Sequence, residues 1–215
     1  MSSIALRQEI ISTVSDFNNS GLSVGTSGNL SVRYDEHFLI TPTGIAYEQL
    51  IPDDIVLCDL DGNVVAGNLK PSSEWPFHAA IYKERDDAQA IVHAHPPYAT
   101  GLACTHKPIP AFNYMIAIAG GNSIRCADYA TIGSQQLGQS IVEALVDRKA
   151  CLMANHGIVA LGDSISSAYQ LAHEVENLAK QYCISLSCGE PVLINDNEME
   201  IIIEKFQQYG KQVND

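Results

Sequence analysis

Two consecutive prolines, Pro96 and Pro97, constrain this chain more than any other pair of its residues. No interior strand runs through such a pair, so the apolar run Ala90-Ile91-Val92 ahead of it must end there. That run is short, small and β-branched, and it follows the polar segment Glu84 to Asp87, which predicts a buried strand. Between strand and prolines stands His93-Ala94-His95. Residues two apart on a strand share a face, so both imidazoles can aim at one point, as metal ligation requires. A pair of ordinary hydrogen-bonded histidines is the competing reading, and the rest of the chain has to choose.

The chain has 215 residues, 46% of them apolar, with no internal repeat and no low-complexity tract. A single domain of that size buries on the order of 70% of its unfolded surface. A formal net charge of −13 without clustered Lys or Arg argues against nucleic acid and anionic membrane surfaces, and no stretch is long and apolar enough to span a bilayer. Met1 to Ile11 reads as the start of a helix rather than a signal peptide. Six scattered cysteines without C-x-x-C spacing read as reduced core thiols of a cytoplasmic protein.

In chain order, residues 3 to 20 are expected to form an amphipathic helix stopped by Gly21. Gly25-Thr26-Ser27-Gly28-Asn29 and Thr41-Pro42-Thr43-Gly44 flank a predicted hairpin (Leu30–Tyr34, Phe38–Thr41) and offer N–H groups and hydroxyls suited to an anion. A second hairpin turns at Asp61-Gly62. Lys70 to Pro76 opens a helix, with Ser72 or Ser73 as its cap and Glu74 in its first turn, where the plain reading is a carboxylate complementing the dipole. Further on come a short helix at Tyr98–Cys104, a strand at Asn113–Ala117, and a helix carrying Leu137, Ile141 and Leu145. Strands at Ala150–Ala154 and Ile158–Leu161 flank Asn155-His156-Gly157, and helices at 164–186 and Asp196–Tyr209 complete the chain. Early hairpins followed by mixed elements predict an α+β layered domain around a largely antiparallel sheet, without a Rossmann βαβ rhythm.

Three strand-end histidines, His93, His95 and His156, with Glu74 at a helix entry make a three-nitrogen, one-oxygen set that zinc accepts in tetrahedral geometry. His78 lies four residues beyond Glu74 on the same helix face, placed to stand behind the carboxylate, whereas His37, His106 and His173 read as solvated or structural.

The chain resembles the class II sugar-phosphate aldolases. The likeness rests on Gly25-Thr26-x-Gly28-Asn29, Ile40-Thr41-Pro42-Thr43-Gly44, Ser72-Ser73-Glu74-Trp75 and His93-x-His95. It continues through Ile109-Pro110-Ala111 with Tyr114-Met115-Ile116-Ala117, Tyr129-Ala130-Thr131 and His156-Gly157, in the family's order and spacing over essentially the whole chain. The resemblance implies a single three-layer αβα domain over residues 1–215, with a mobile tail from about residue 206. It makes Glu74, His93, His95 and His156 the ligands of one Zn2+ per subunit, and Glu74 also the base at the reacting carbon. It makes Tyr114, from a neighbouring subunit of a homotetramer, the acid at the aldehyde oxygen. Ser27, Gly28, Asn29, Thr43, Gly44, Ser72 and Ser73 would cradle the phosphate, and Ile132 and Tyr209 would enclose the substrate. Within the family the chain resembles the branch that cleaves L-fuculose 1-phosphate reversibly into dihydroxyacetone phosphate and L-lactaldehyde, and that reaction is the one expected of it.

The chain departs from the family pattern at Ser27, where alanine is expected, at Ile132, where an aromatic lines the aldehyde pocket, and at Ala94 and Asn113. Related readings are pentulose-phosphate 4-epimerase, methylthioribulose-phosphate dehydratase, and a metal-free adducin-like interaction module. Phe112-Asn113-Tyr114-Met115 stands where the epimerases resemble one another in carrying an aspartate, which favours the aldolase.

Overall fold

A computed structural model describes residues 3–206. Its strands are β1 (Asn29–Tyr34), β2 (His37–Ile40), β3 (Val56–Asp59), β4 (Val64–Ala66), β5 (Ala90–Ala94), β6 (Arg125–Ala127), β7 (Ala150–Met153) and β8 (Gly157–Gly162). They form one sheet in the order β4-β3-β2-β1-β5-β8-β7-β6, antiparallel throughout except for the parallel β6–β7 pair. The helices are α1 (Ser3–Ser15), α2 (Phe17–Ser20), α3 (Trp75–Glu84), α4 (Pro97–Ala103), α5 (Gln135–Ala144), α6 (Ile165–Cys188) and α7 (Asp196–Phe206).

Alternation along the strands builds two cores. Val92, Ile158, Ala160 and Leu152 face one side, where they pack with Ile10 and Val14 of α1, Ala99 of α4 and Val175 of α6. Ile91, Val159 and Met153 face the other, against Phe77 and Ile81 of α3 and Leu137 and Ile141 of α5. A sheet covered on both faces needs strands that are apolar at every position, which is why β5, β7 and β8 read as runs rather than as alternating patterns. The result is the expected three-layer αβα arrangement around a largely antiparallel mixed sheet.

Four local expectations are corrected. The first helix breaks at Asp16 into α1 and α2, since Asp16 N–H bonds the Thr13 carbonyl in a tightened turn. Asn113–Ala117 is not a strand: Asn113 Oδ1 accepts the Met115 N–H at 2.9 Å and caps a 3-10 helix, Tyr114–Ala119. That local side-chain bond outbids the strand propensity of the apolar run. The short parallel strand β6 carries no alternation long enough to read and was not expected. All six cysteines are free, but Cys104 and Cys188 are exposed rather than in the core. The final helix is described to Phe206, so its expected end at Tyr209 lies outside the described residues.

Pro96 and Pro97 close β5 and also begin α4, where a missing N–H costs nothing. The Glu176 carboxylate of α6 then accepts the N–H groups of Tyr98 and Ala99, at 3.0 and 2.8 Å. This cap holds the start of α4, and with it the end of β5, against α6.

Candidate metal centre and surrounding loops

The register of the sheet places the site. Asn29 of β1 lies directly opposite His93 of β5, and His93 lies directly opposite Val159 of β8. His93 shares the α3 face of its strand with Ile91, so its ring enters the layer from which Glu74 arrives. His95 follows the last residue of β5, and its N–H donates to the Leu22 carbonyl at 3.0 Å. His156 sits in the three-residue turn between Met153 and Gly157, a turn made possible by Asn155 at φ 56°. Gly157 is obligatory here, because a Cβ would fall 2.4 Å from the Ala94 carbonyl and 2.6 Å from the His95 ring.

Glu74 is the residue immediately before α3 rather than a member of its first turn. Its N–H donates to Ser72 Oγ at 3.3 Å, and its side chain makes no capping bond. The carboxylate turns into the protein instead. Oε2 lies 3.0 Å from His93 Nε2 and Oε1 3.2 Å from His156 Nε2, while His95 Nε2 is 2.8 Å from His93 Nε2. One ligand atom from each of the four residues lies within 4.8 Å of all the others.

The donor set fits a cation. His93 Nδ1 donates to the Ile158 carbonyl at 2.8 Å, so its Nε2 carries the lone pair unless the ring is doubly protonated. That Nε2 faces a carboxylate oxygen and a second imidazole nitrogen, and the buried Glu74 Oε1 faces, among the described residues, only His156 Nε2. A positive charge has to sit among these groups. Burial works against protonation of His93, but Glu74 outweighs it and raises the His93 pKa. Glu74 itself, which burial alone would push up, is held well below the usual carboxylate range by His93 and His156. His95 is pushed down to about 3 by burial and by the two neighbouring histidines, so it presents a neutral nitrogen. A divalent ion bound by the four groups answers all of these demands together.

Three loops converge beside the cluster. Asn29 is buried at the start of β1 and donates from Nδ2 to Glu74 Oε2 at 2.9 Å. Gly28, at φ 86°, passes so close to the His93 carbonyl that a Cβ would meet it at 2.6 Å. Tyr47 OH donates to the carbonyls of Ser27 and Gly28, and the Ser27 N–H donates to the Val24 carbonyl at 3.3 Å, so the turn is held from both sides. The Thr41–Gly44 segment is tied to the Ser72–Glu74 segment by Ser72 N–H to Thr41 O at 2.9 Å and Thr43 N–H to Lys70 O at 3.2 Å. Thr43, Gly44 and Ser73 are exposed, while Ser72 is buried under them.

The remaining expected residues lie farther out. Gly133 packs near the Ser73 carbonyl and sets Ile132 beside that loop, exposed. Tyr114 is half-exposed at the start of its 3-10 helix, with its ring against Phe206, outside the Glu74 cluster. Tyr209 lies outside the described residues. His106 pairs with Asn155 and His173 with the edge of Tyr169; neither joins the cluster, nor does His37 on β2. Sequence reading missed Ser31 and Tyr47. Ser31 was the findable one: it shares a strand face with Asn29 and is a polar residue set between the apolar Leu30 and Val32.

The family model described as the class II aldolase and adducin N-terminal domain matches residues 8–183. The chain belongs to this family. Within the class II aldolases it is 48% identical over 209 residues to a 5-methylthioribulose-1-phosphate/5-deoxyribulose-1-phosphate aldolase of Rhodospirillum rubrum, covering 97% of this chain and 94% of that protein. It is 46% identical to the L-fuculose phosphate aldolase of Escherichia coli, over 97% of each chain. A solved L-fuculose 1-phosphate aldolase superposes with a TM-score of 0.93 at 44% identity, over 96% of this chain and 98% of that one. The protein is thus a class II aldolase whose Glu74, His93, His95 and His156 make a candidate metal centre.

Proposed function

We propose that the chain catalyses the reversible aldol cleavage of L-fuculose 1-phosphate to dihydroxyacetone phosphate and L-lactaldehyde, with one Zn2+ per subunit. The observation that carries this reading is the double placement of Glu74: one carboxylate stands in the ligand set and also at the meeting point of the Asn29, Thr43 and Ser72 segments. A cation held by Glu74, His93, His95 and His156 supplies Lewis acidity, which spreads negative charge developing on the keto fragment.

The protein's own groups do the rest. Ser27, Gly28, Asn29, Thr43, Gly44, Ser72 and Ser73 bind the phosphate through N–H and hydroxyl donors, so an acidic protein holds a dianion without clustered basic residues. On cleavage the C3–C4 electron pair stays with the keto fragment, and as the aldehyde forms the C4 hydroxyl proton passes by way of Tyr114 to solvent, from which Glu74 takes the proton that it carries. Glu74 then delivers a proton to C3, and runs the same step backwards in synthesis. Tyr114, exposed on its own subunit, serves the aldehyde oxygen of a neighbour's site, in keeping with a homotetramer. Tyr209 and Ile132 enclose the aldehyde end. Six free thiols suit a cytoplasmic protein.

A second reading keeps the chemistry and changes the aldehyde. Exposed, apolar Ile132 beside Ser73 favours a leaving group without a hydroxyl, as 5-deoxyribulose 1-phosphate or 5-methylthioribulose 1-phosphate would supply. The test is to incubate the purified protein with each of the three ketose 1-phosphates, with and without chelator, and follow dihydroxyacetone phosphate by coupled reduction. Chelator-sensitive release from L-fuculose 1-phosphate at the highest kcat/KM supports the first reading. A higher value with the deoxyribulose substrates moves the assignment to the second, and absence of release from all three overturns both.

A further inference from the structure

Behind Glu74 runs a chain of buried polar side chains, of which the proposed cleavage uses only Asn29, at its near end. Asn29 Nδ2 donates to Glu74 Oε2 at 2.9 Å, and Asn29 Oδ1 lies 2.5 Å from His78 Nε2. His78 Nδ1 lies 2.7 Å from Ser31 Oγ, which in turn lies 2.9 Å from Tyr82 OH. His78 and Ser31 are wholly buried, and Asn29 and Tyr82 nearly so, so every donor and acceptor must be matched inside the protein.

The direction of the whole chain is set at one end. A carboxylate only accepts, so Asn29 must turn its NH2 group to Glu74 and its carbonyl to His78. His78 must then carry its proton on Nε2 and leave Nδ1 bare, so Ser31 donates to Nδ1 and accepts from Tyr82 OH. Running the chain the other way would set the Asn29 carbonyl against the Glu74 carboxylate, and acceptor would face acceptor in a buried site. Burial also pushes the His78 pKa down to about 3, which keeps the ring a neutral single donor.

We propose that His78, backed by Ser31 and Tyr82, is a positioning residue: it locks the Asn29 amide in the orientation that donates to Glu74, and so holds the carboxylate at the reacting carbon. This rests on the reading of Glu74 as the group that moves the proton. The lock costs no reorganisation during turnover, because each member keeps its bonds whether or not Glu74 bears the proton; the protonated acid still offers a carbonyl oxygen to Asn29.

The test pairs two variants with one spectroscopic measurement. His78→Phe keeps the ring's bulk and removes both nitrogens, whereas His78→Gln can present an N–H towards Asn29. His78→Phe is expected to lower kcat about 10–100-fold, as loss of a partner behind a ligand does, with KM within about threefold of wild type. His78→Gln should recover most of that loss. Equal losses in both variants, or a loss carried by KM, would overturn the positioning role. Independently of any substrate, 15N-histidine NMR of the metal-free protein should show His78 as the Nε2–H tautomer, assigned by its disappearance in His78→Gln. An Nδ1–H tautomer would reverse the chain and sink the proposal even if the aldolase reaction is confirmed. Should no ketose phosphate be cleaved, the functional reading fails by itself and the tautomer alone decides the direction of the chain.

Discussion

In the proposed reaction Glu74 concentrates two demands in one side chain: it must be charged enough to ligate and basic enough to take a proton. His93 and His156 satisfy the first by holding its pKa low. Glu74→Gln should keep the fold, since the amide occupies the same volume, yet slow solvent-deuterium exchange into dihydroxyacetone phosphate by at least about 100-fold. Exchange at the wild-type rate would remove Glu74 from the proton transfer. Acid sensitivity also has a source at this scale. Native His78 stays neutral down to about pH 3, while in the unfolded chain it takes a proton near pH 6.5. Its contribution is therefore complete above pH 6.5 and lost as the pH falls from there towards 3, at about 1.4 kcal/mol per pH unit. His95, also lowered to about 3, acts with the same sign. Urea unfolding in chelator at pH 7 and pH 5 should show this fall, and His78→Gln should flatten it; an unchanged slope in the variant would assign the protons elsewhere. The four members of the His/Glu cluster were legible because spacing and strand ends are written in sequence. That Glu74 bonds Asn29 was not, because it depends on β1 lying next to β5.

At the scale of elements, the site is a seam between the sheet and one helical layer. Strand β5 brings His93, the β7–β8 turn brings His156, and the entry to α3 brings Glu74. The tolerance for error at that seam is small. Gly157→Ala would put a Cβ into the Ala94 carbonyl and the His95 ring, so we expect reduced metal affinity at near-native secondary structure, read by chelator competition against circular dichroism. Wild-type affinity in this variant would mean that the turn relaxes without disturbing His95. The elements misread from sequence share one cause. Asn113 offers a cap to a run that otherwise suits a strand, and Arg125–Ala127 becomes a strand only because β7 lies beside it. In both places the deciding partner is a side chain or a strand that periodicity does not encode.

For the whole molecule, the hairpins early in the chain made a layered, largely antiparallel α+β domain legible, while the three-layer αβα form was expected from the family resemblance; the continuous apolar runs of β5 and β8 are its physical counterpart, since both faces of the sheet are covered. Strand order was not legible, because a run of residues does not say which neighbour it pairs with. Tyr114 has its place at this scale too. It stands half-exposed and outside its own Glu74 cluster, so a shared site predicts complementation between damaged subunits. Glu74→Gln and Tyr114→Phe homo-oligomers should each be nearly inactive, while dissociation and reassembly of their mixture should restore part of the activity. A mixture that stays as inactive as its components, with mixed oligomers verified by native mass spectrometry, would mean that each chain uses its own groups.

The turn at Gly133 passes close to the Ser73 carbonyl, which a Cβ there would meet at 3.2 Å, and leaves Ile132 exposed. With the Ser72–Glu74 segment in its proposed phosphate-binding role, such a turn lets evolution exchange one side chain at the rim without retuning the grip on the half of the substrate that the proposed reactions share. Divergence among enzymes that release different aldehydes then needs few steps and no loss of the ancestral chemistry on the way.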